Sequence, residues 1–430
     1  MKMFGSIILL VLSASASVAQ QNDVFKLLQE SAALIQEEKF ASAEPILRTA
    51  AKTAPANPDA HNLLGIVLDQ LGKTAEAERE YRDAIRLNPK AVSPRANLGI
   101  LLAKNKRQTE AAQIFESVLK IDPNHPQTII NLGLLYVTVK KYDLAPALLK
   151  RAVEIQPNSF DLKFGLATAL YQTDHLDDAQ TTFLSASALS PTKADPFYFL
   201  GMIAFTRKQD EIAQAYFAKA IELDPKNSAA NFQQGEILAK YQHYAEARSF
   251  YEKAVLLDAA KPVYHIRLGG MYIFLGDFNG AFEIFQKAAK AFSDISEIHY
   301  FLAISARGKG DFATALSAVK RSLALKETAD SNALAGAILS DRNETAEAER
   351  FLRKAIALNP KHFNSNHDLG RLLVRQKNFA AAIPFLQQAS ALMPEQPDPH
   401  YELFLAYSRL KQKQDADREL AIFKELSERK

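Results

Sequence analysis

Between Asp59 and Leu71 the apolar residues Leu63, Leu64, Val67, Leu68 and Leu71 fall at spacings of three and four. That spacing puts them on one stripe of a helix and predicts an amphipathic helix over the stretch. Gly72 breaks it near its C-terminal end. A second helix is expected from about Thr74, read as its N-cap, with Ala77 where a capping box would carry Glu. It runs to about Asn88, because Pro89 has no N–H with which to continue the ladder. Helices of about 14 residues are marginal alone in water and need neighbours.

The neighbours are copies. The stretch Pro58 to Ala91 is 34 residues long, and its alanine returns at that interval as Ala43, Ala77, Ala111, Ala145, Ala179, Ala213, Ala247, Ala281 and Ala315. Ala348 comes one residue early, and Ala382 and Ala416 resume the step. Twelve residues before the alanine stand Gly65, Gly99, Gly133, Gly201, Gly235, Gly269, Gly336 and Gly370. Four after it stand Tyr81, Phe115, Phe183, Phe217, Tyr251 and Phe285. Twelve after it stand Pro55, Pro89, Pro123, Pro157, Pro191, Pro225, Pro360 and Pro394. The small columns are expected where two backbones approach closely, and the aromatic column as an apolar knob for the next helix.

This small–aromatic–small–proline pattern at period 34 resembles the tetratricopeptide repeat. The resemblance covers Val24 to Lys430 and implies an all-α, right-handed α-solenoid superhelix of about twelve helical hairpins. Their boundaries are 24–57, 58–91, 92–125, 126–159, 160–193, 194–227, 228–261, 262–295, 296–328, 329–362, 363–396 and 397–430. The first hairpin is atypical, with Ser31 in the glycine column and Leu47 in the aromatic one, as end repeats usually are. The joint between hairpins nine and ten has no proline, one residue fewer and Ser322 in a column mostly filled by Ala, so the stack is expected to open there first. In the last hairpin Phe423 replaces a small residue, and the final helix is expected to cap the stack.

The N-terminus is different in kind. Met1-Lys2-Met3 precedes an apolar run from Phe4 to Ala16, followed by Ser17-Val18-Ala19 as a small-x-small cleavage site. Residues 1–19 therefore read as a secretory signal and 20–23 as a short linker, which places the mature chain in the periplasm or outside the cell. After signal removal no apolar run is long enough for a membrane span. Charge is balanced, at 52 basic against 49 acidic residues, which argues against a nucleic-acid surface. The chain has no cysteine, and so no disulfide frame and no thiolate nucleophile.

Chemistry has little room. Repeats consume residues 24–430, leaving no long loop for a catalytic centre, and no cofactor, metal or catalytic residue is assigned. His61 and His299 share a place in their hairpins, which suggests packing or surface roles; His362 and His367 lack metal-ligand spacing. Gly308-Lys309-Gly310 sits at an ordinary helix–helix turn and lacks the length of a phosphate loop. Glu76, Glu78 and Glu80 read as a solvated face paired with Arg79 and Arg82.

By the same resemblance, first helices line a concave wall, with the second, fifth, sixth, ninth, twelfth and thirteenth positions of each hairpin facing inward. Those positions hold Phe164, Tyr171, Tyr198, Phe199, Phe205, Phe232, Tyr300 and Phe301, together with Arg267. Asn97 and Asn131 form two rungs of an asparagine ladder at the sixth place. An aromatic wall of this kind either packs against the adjacent helix or anchors a partner. Arg371, Arg375 and Arg409 make a basic lip further on. The function expected is a non-enzymatic, exported scaffold that holds peptide segments or partner proteins in its groove. The alternative is a structural component of a bacterial envelope assembly or polysaccharide-export complex, peripherally associated with it.

Overall fold

The computed structural model describes residues 22–429, so the signal segment expected at 1–19 lies outside the described residues. Helices account for every regular element among them. Each repeat is an antiparallel helical hairpin, and the hairpins fall into two compact bodies that meet in sequence at Leu223 and Asp224. Hairpins one to six make the first body and hairpins seven to twelve the second.

Hairpin two shows how the residues set the geometry. Its first helix, Pro58–Gln70, is capped by Asn57, whose side chain accepts from the N–H of Asp59 at 2.9 Å and of Ala60 at 3.1 Å. Proline at the first helical position loses no bond, because that N–H would be orphaned anyway. The turn closes with Lys73 N–H donating to Leu68 O at 2.8 Å while Gly72 takes φ +75°. Thr74 is then the first residue of the second helix, Thr74–Leu87, rather than its cap. The cap position falls to Lys73, whose side chain has no acceptor to offer the helix and instead pairs with Glu44 at 2.6 Å.

Most hairpins turn on a non-glycine residue at the place Gly72 occupies. Lys106, Lys140, Lys208, Lys377 and Lys411 all hold φ near +60°. A Cβ in that region is penalised by about 1–2 kcal/mol, which glycine avoids at the expense of its greater freedom when unfolded. Lys208 is exposed and makes no ion pair among the described residues. Lys208→Gly is therefore expected to raise stability by about 0.5–1 kcal/mol. A urea midpoint that rises at unchanged slope checks this; an unchanged or lower midpoint contradicts it.

The alanine column is fully buried, with Ala43, Ala77, Ala111, Ala145 and Ala179 through Ala382 at 0% exposure. The glycine column has a narrower purpose than backbone approach in general. A methyl at Gly65 would come 2.7 Å from the Tyr81 ring, at Gly201 2.6 Å from Phe217, and at Gly269 2.3 Å from Phe285. The aromatic knob therefore lies first on the glycine of its own hairpin. It also reaches the next hairpin, where Phe183 stacks on Phe199 at 5.0 Å and Phe285 on Phe301 at 5.4 Å.

The shared histidine place is a tether. His61, His265 and His299 meet the carbonyl six residues back, at Pro55 (3.1 Å), Ala259 (3.0 Å) and Ser293 (3.1 Å), and Asn366 donates likewise to Pro360 O at 3.0 Å. Each ties the loop entering its hairpin to the helix that follows. The carboxylates of hairpin two also differ from their expected pairing. Glu78 does bind Arg82, but Glu76 pairs with Arg48 at 2.6 Å and Glu80 with His61 at 2.6 Å. Arg107 reaches back to Glu78 at 2.7 Å, so ion pairs bridge adjacent hairpins as well as turns of one helix.

The joint between hairpins nine and ten is built differently from the others. Ser322 is buried and its hydroxyl lies 3.0 Å from that of Ser296 and 3.1 Å from that of Ser331. Thr328 caps the helix Ala329–Asp341, in which every residue from Ser331 to Ser340 is buried. Serine fits the small column and satisfies its polar atom inside it, so the shortened joint is packed closed in the folded chain. At the end of the chain, Phe423 packs half-buried against Tyr401, with ring centroids 5.1 Å apart.

Candidate partner groove

The inward positions divide once side chains are placed. In the first body, Phe164, Tyr171 and Phe199 are half-buried and packed on the core. They form one aromatic cluster, with Phe164–Phe199 at 5.9 Å and Tyr171–Phe199 at 5.4 Å. Tyr198 touches Phe199 edge-on at 5.3 Å and the buried Phe217 at 6.0 Å, and both it and Phe205 stay partly exposed. Phe205 has no ring partner among the described residues. The two asparagines of the ladder each hold a neighbouring amide. Asn97 donates to Asn62 at 3.1 Å, and Asn131 accepts from Gln127 at 3.1 Å.

In the second body Phe232 is core rather than wall, 8% exposed and stacked on Tyr264 at 4.6 Å. Tyr300 and Phe301 are half-buried against the core of their body. Arg267 is exposed but held by Glu236 at 3.0 Å, and Glu236 also accepts from the Tyr251 hydroxyl at 2.6 Å. Around this pair lies a groove of about 420 Å³ lined by Ala239, Ile266, Gly270, Phe274 and Phe301. Phe274 is 64% exposed at its edge, and Gly270 has open space where a side chain would stand. The sequence reading passed over both, although Gly270 and Phe274 occupy inward places nine and thirteen of hairpin eight.

A second groove, of about 460 Å³, runs along hairpins nine to twelve. Tyr300, Ile304, Ala333, Leu334 and Ala337 give it an apolar floor. Its walls carry Arg307, Asp330, His362, His367, Asp368, Arg371 and Asp398. Nearly all are inward positions, so the transferred register does converge on one surface here. Arg371 is less a basic lip than a paired wall group, bound to Asp368 at 3.0 Å. Arg307 is likewise paired, with Asp341 at 2.7 Å. Burial pushes the Asp368 carboxyl up despite Arg371 beside it. Burial raises Glu402 as well, against the pull of Arg371 and Arg375. His367 is pushed down by burial, and its Nε2 has no hydrogen-bond partner.

The histidines of this groove have structural partners in part. His362 Nδ1 lies 2.6 Å from the Ser365 hydroxyl and its Nε2 3.0 Å from Asp330. No helix among the described residues is long and apolar enough to cross a membrane.

Comparison with known proteins bears on the same residues. A family model for the tetratricopeptide repeat matches residues 28–92, 64–126, 272–332 and 334–397. Related models of that repeat match 136–196, 194–227 and 228–261. No curated protein matches the sequence. Similar solved structures include YrrB, a repeat protein with an unusual peptide-binding site: 23% identity, 43% of this chain, 95% of that one, TM-score 0.41. Others are the Cut9–Hcn1 hetero-tetramer of APC/C, at 14% identity, 87% of this chain, 95% of that one and TM-score 0.44, and MamA from Desulfovibrio magneticus, at 23%, 40%, 96% and 0.36.

Proposed function

Since the chain belongs to the tetratricopeptide repeat family, whose members act as protein-interaction scaffolds, we propose that it is a non-enzymatic, exported scaffold that binds peptide segments or partner proteins on its inward faces. The observation that carries the reading is the partly exposed aromatic pair Tyr198 and Phe205, standing at inward positions of one helix. Aromatic anchors of that kind supply disproportionate binding energy when a partner desolvates them. The Phe274 groove of the second body offers the same chemistry. Export rests on the three-part pattern of residues 1–19. A place in an envelope or polysaccharide-export assembly is the narrower alternative.

Crosslinking capture from the envelope and soluble fractions tests this, comparing the wild type with Tyr198→Ala/Phe205→Ala. Neither substitution enters a fully buried site, so the fold is expected to survive. Partner recovery is expected to fall about tenfold or more, as loss of one hot-spot aromatic implies. Equal recovery by both forms would sink the aromatic-anchor reading. Recovery confined to a membrane-associated complex would favour the assembly alternative.

A further inference from the structure

We propose that the groove of hairpins nine to twelve recognises a basic side chain, lysine or arginine, projecting from an extended partner segment; this rests on the scaffold reading above. Three features of the groove point there. Its floor is small: Ala333 and Ala337 stand at inward places five and nine, where most other hairpins carry a larger side chain and none but this one has a small residue at both. Tyr300 and Leu334 flank that floor and can cover an aliphatic stem. The space of about 460 Å³ exceeds one such side chain, which leaves room for the backbone that bears it.

The charges are arranged unevenly. Asp330 and Asp398 hold the second place of their hairpins, so both lie at the N-terminal ends of their helices. Among the described residues Asp330 is answered only by His362, and Asp398 is exposed with no lysine or arginine in ion-pair range. The arginines of the groove are already engaged, Arg307 by Asp341 and Arg371 by Asp368. The end of the groove that holds Asp330 and Asp398 therefore presents unmatched carboxylates beside an apolar floor. A long stem ending in a cation matches both.

The test uses the full chain and an array of twelve-residue peptides that are degenerate except at a central position fixed as Lys, Arg, norleucine or Glu. The Lys and Arg sets are expected to be retained about tenfold better than norleucine, and Glu worst, with the margin shrinking as salt rises. Asp330→Asn/Asp398→Asn should erase the margin over norleucine while leaving the thermal transition near that of the wild type. Ala337→Leu should fill the floor and reduce retention of the Lys set; if that variant misfolds, the Asn pair decides alone. Peptides bound without preference for the cation, or a preference that survives the Asn pair, overturn this inference and leave the scaffold reading intact. Retention of no set at all overturns both.

Discussion

Phe285→Ala is expected to destabilise the second body by about 3–5 kcal/mol. Phe285 is fully buried, its ring lying on Gly269 on one side and stacked on Phe301 at 5.4 Å on the other. The loss should sit high in that range. A cavity costs less when its walls collapse, but Gly269 has no side chain to advance and the helices around it are held by neighbouring hairpins. Because a repeat array is stabilised joint by joint, the loss should be local. Amide protection should fall first in hairpins eight and nine, and the urea midpoint should drop with it. Leu352→Ala, at the equivalent place beside Gly336, removes a smaller side chain and should cost less. A loss below about 1 kcal/mol at Phe285 would mean the column is tolerated rather than required.

The same column shows what the sequence could and could not reveal. Period and phase were legible because they depend only on recurrence: the alanines recur at the 34-residue step, with one residue dropped before Ala348, and are buried alike from Ala43 to Ala382. Which helix the aromatic knob meets was not legible, because spacing alone does not say whether Tyr81 faces Gly65 or the following hairpin. The candidate wall failed in a similar way. Phe205 and Phe232 are both aromatic at inward positions, yet one is half-exposed and the other buried. The difference comes from Tyr264 of the next hairpin, which closes over Phe232 at 4.6 Å. Depth at an inward place is set by the size of the neighbour's side chain, so a position-by-position reading misses it. The charged groove was hidden for another reason. Its aspartates and arginines are scattered from Arg307 to Asp398 and become one surface only when four hairpins stack. The polar tether at His61, His265 and His299 was half visible, as a shared place without a partner, because the carbonyl it meets belongs to the backbone.

Gly269→Ala and Gly270→Ala are expected to have opposite signs, although they are neighbours in one helix. Alanine is favoured over glycine in a helix interior by about 0.5–1 kcal/mol. At Gly270 nothing lies within 4 Å of the added methyl, so that gain should appear in full. At Gly269 the methyl would meet the Phe285 ring at 2.3 Å, and the ring cannot retreat, being stacked on Phe301. Overpacking of that kind costs about 1–3 kcal/mol and should outweigh the propensity gain. Hairpin nine shows the natural remedy, with Ala303 in the glycine column and Val319 in place of the aromatic, both buried. Phe285→Val should therefore be less harmful in the Gly269→Ala background than in the wild type, with a coupling of about 1 kcal/mol or more in the double-mutant cycle. Urea midpoints of the four chains give that coupling directly. Additive losses would show that glycine is kept for some reason other than the ring, and a destabilised Gly270→Ala would show that the helix, not the knob, demands it.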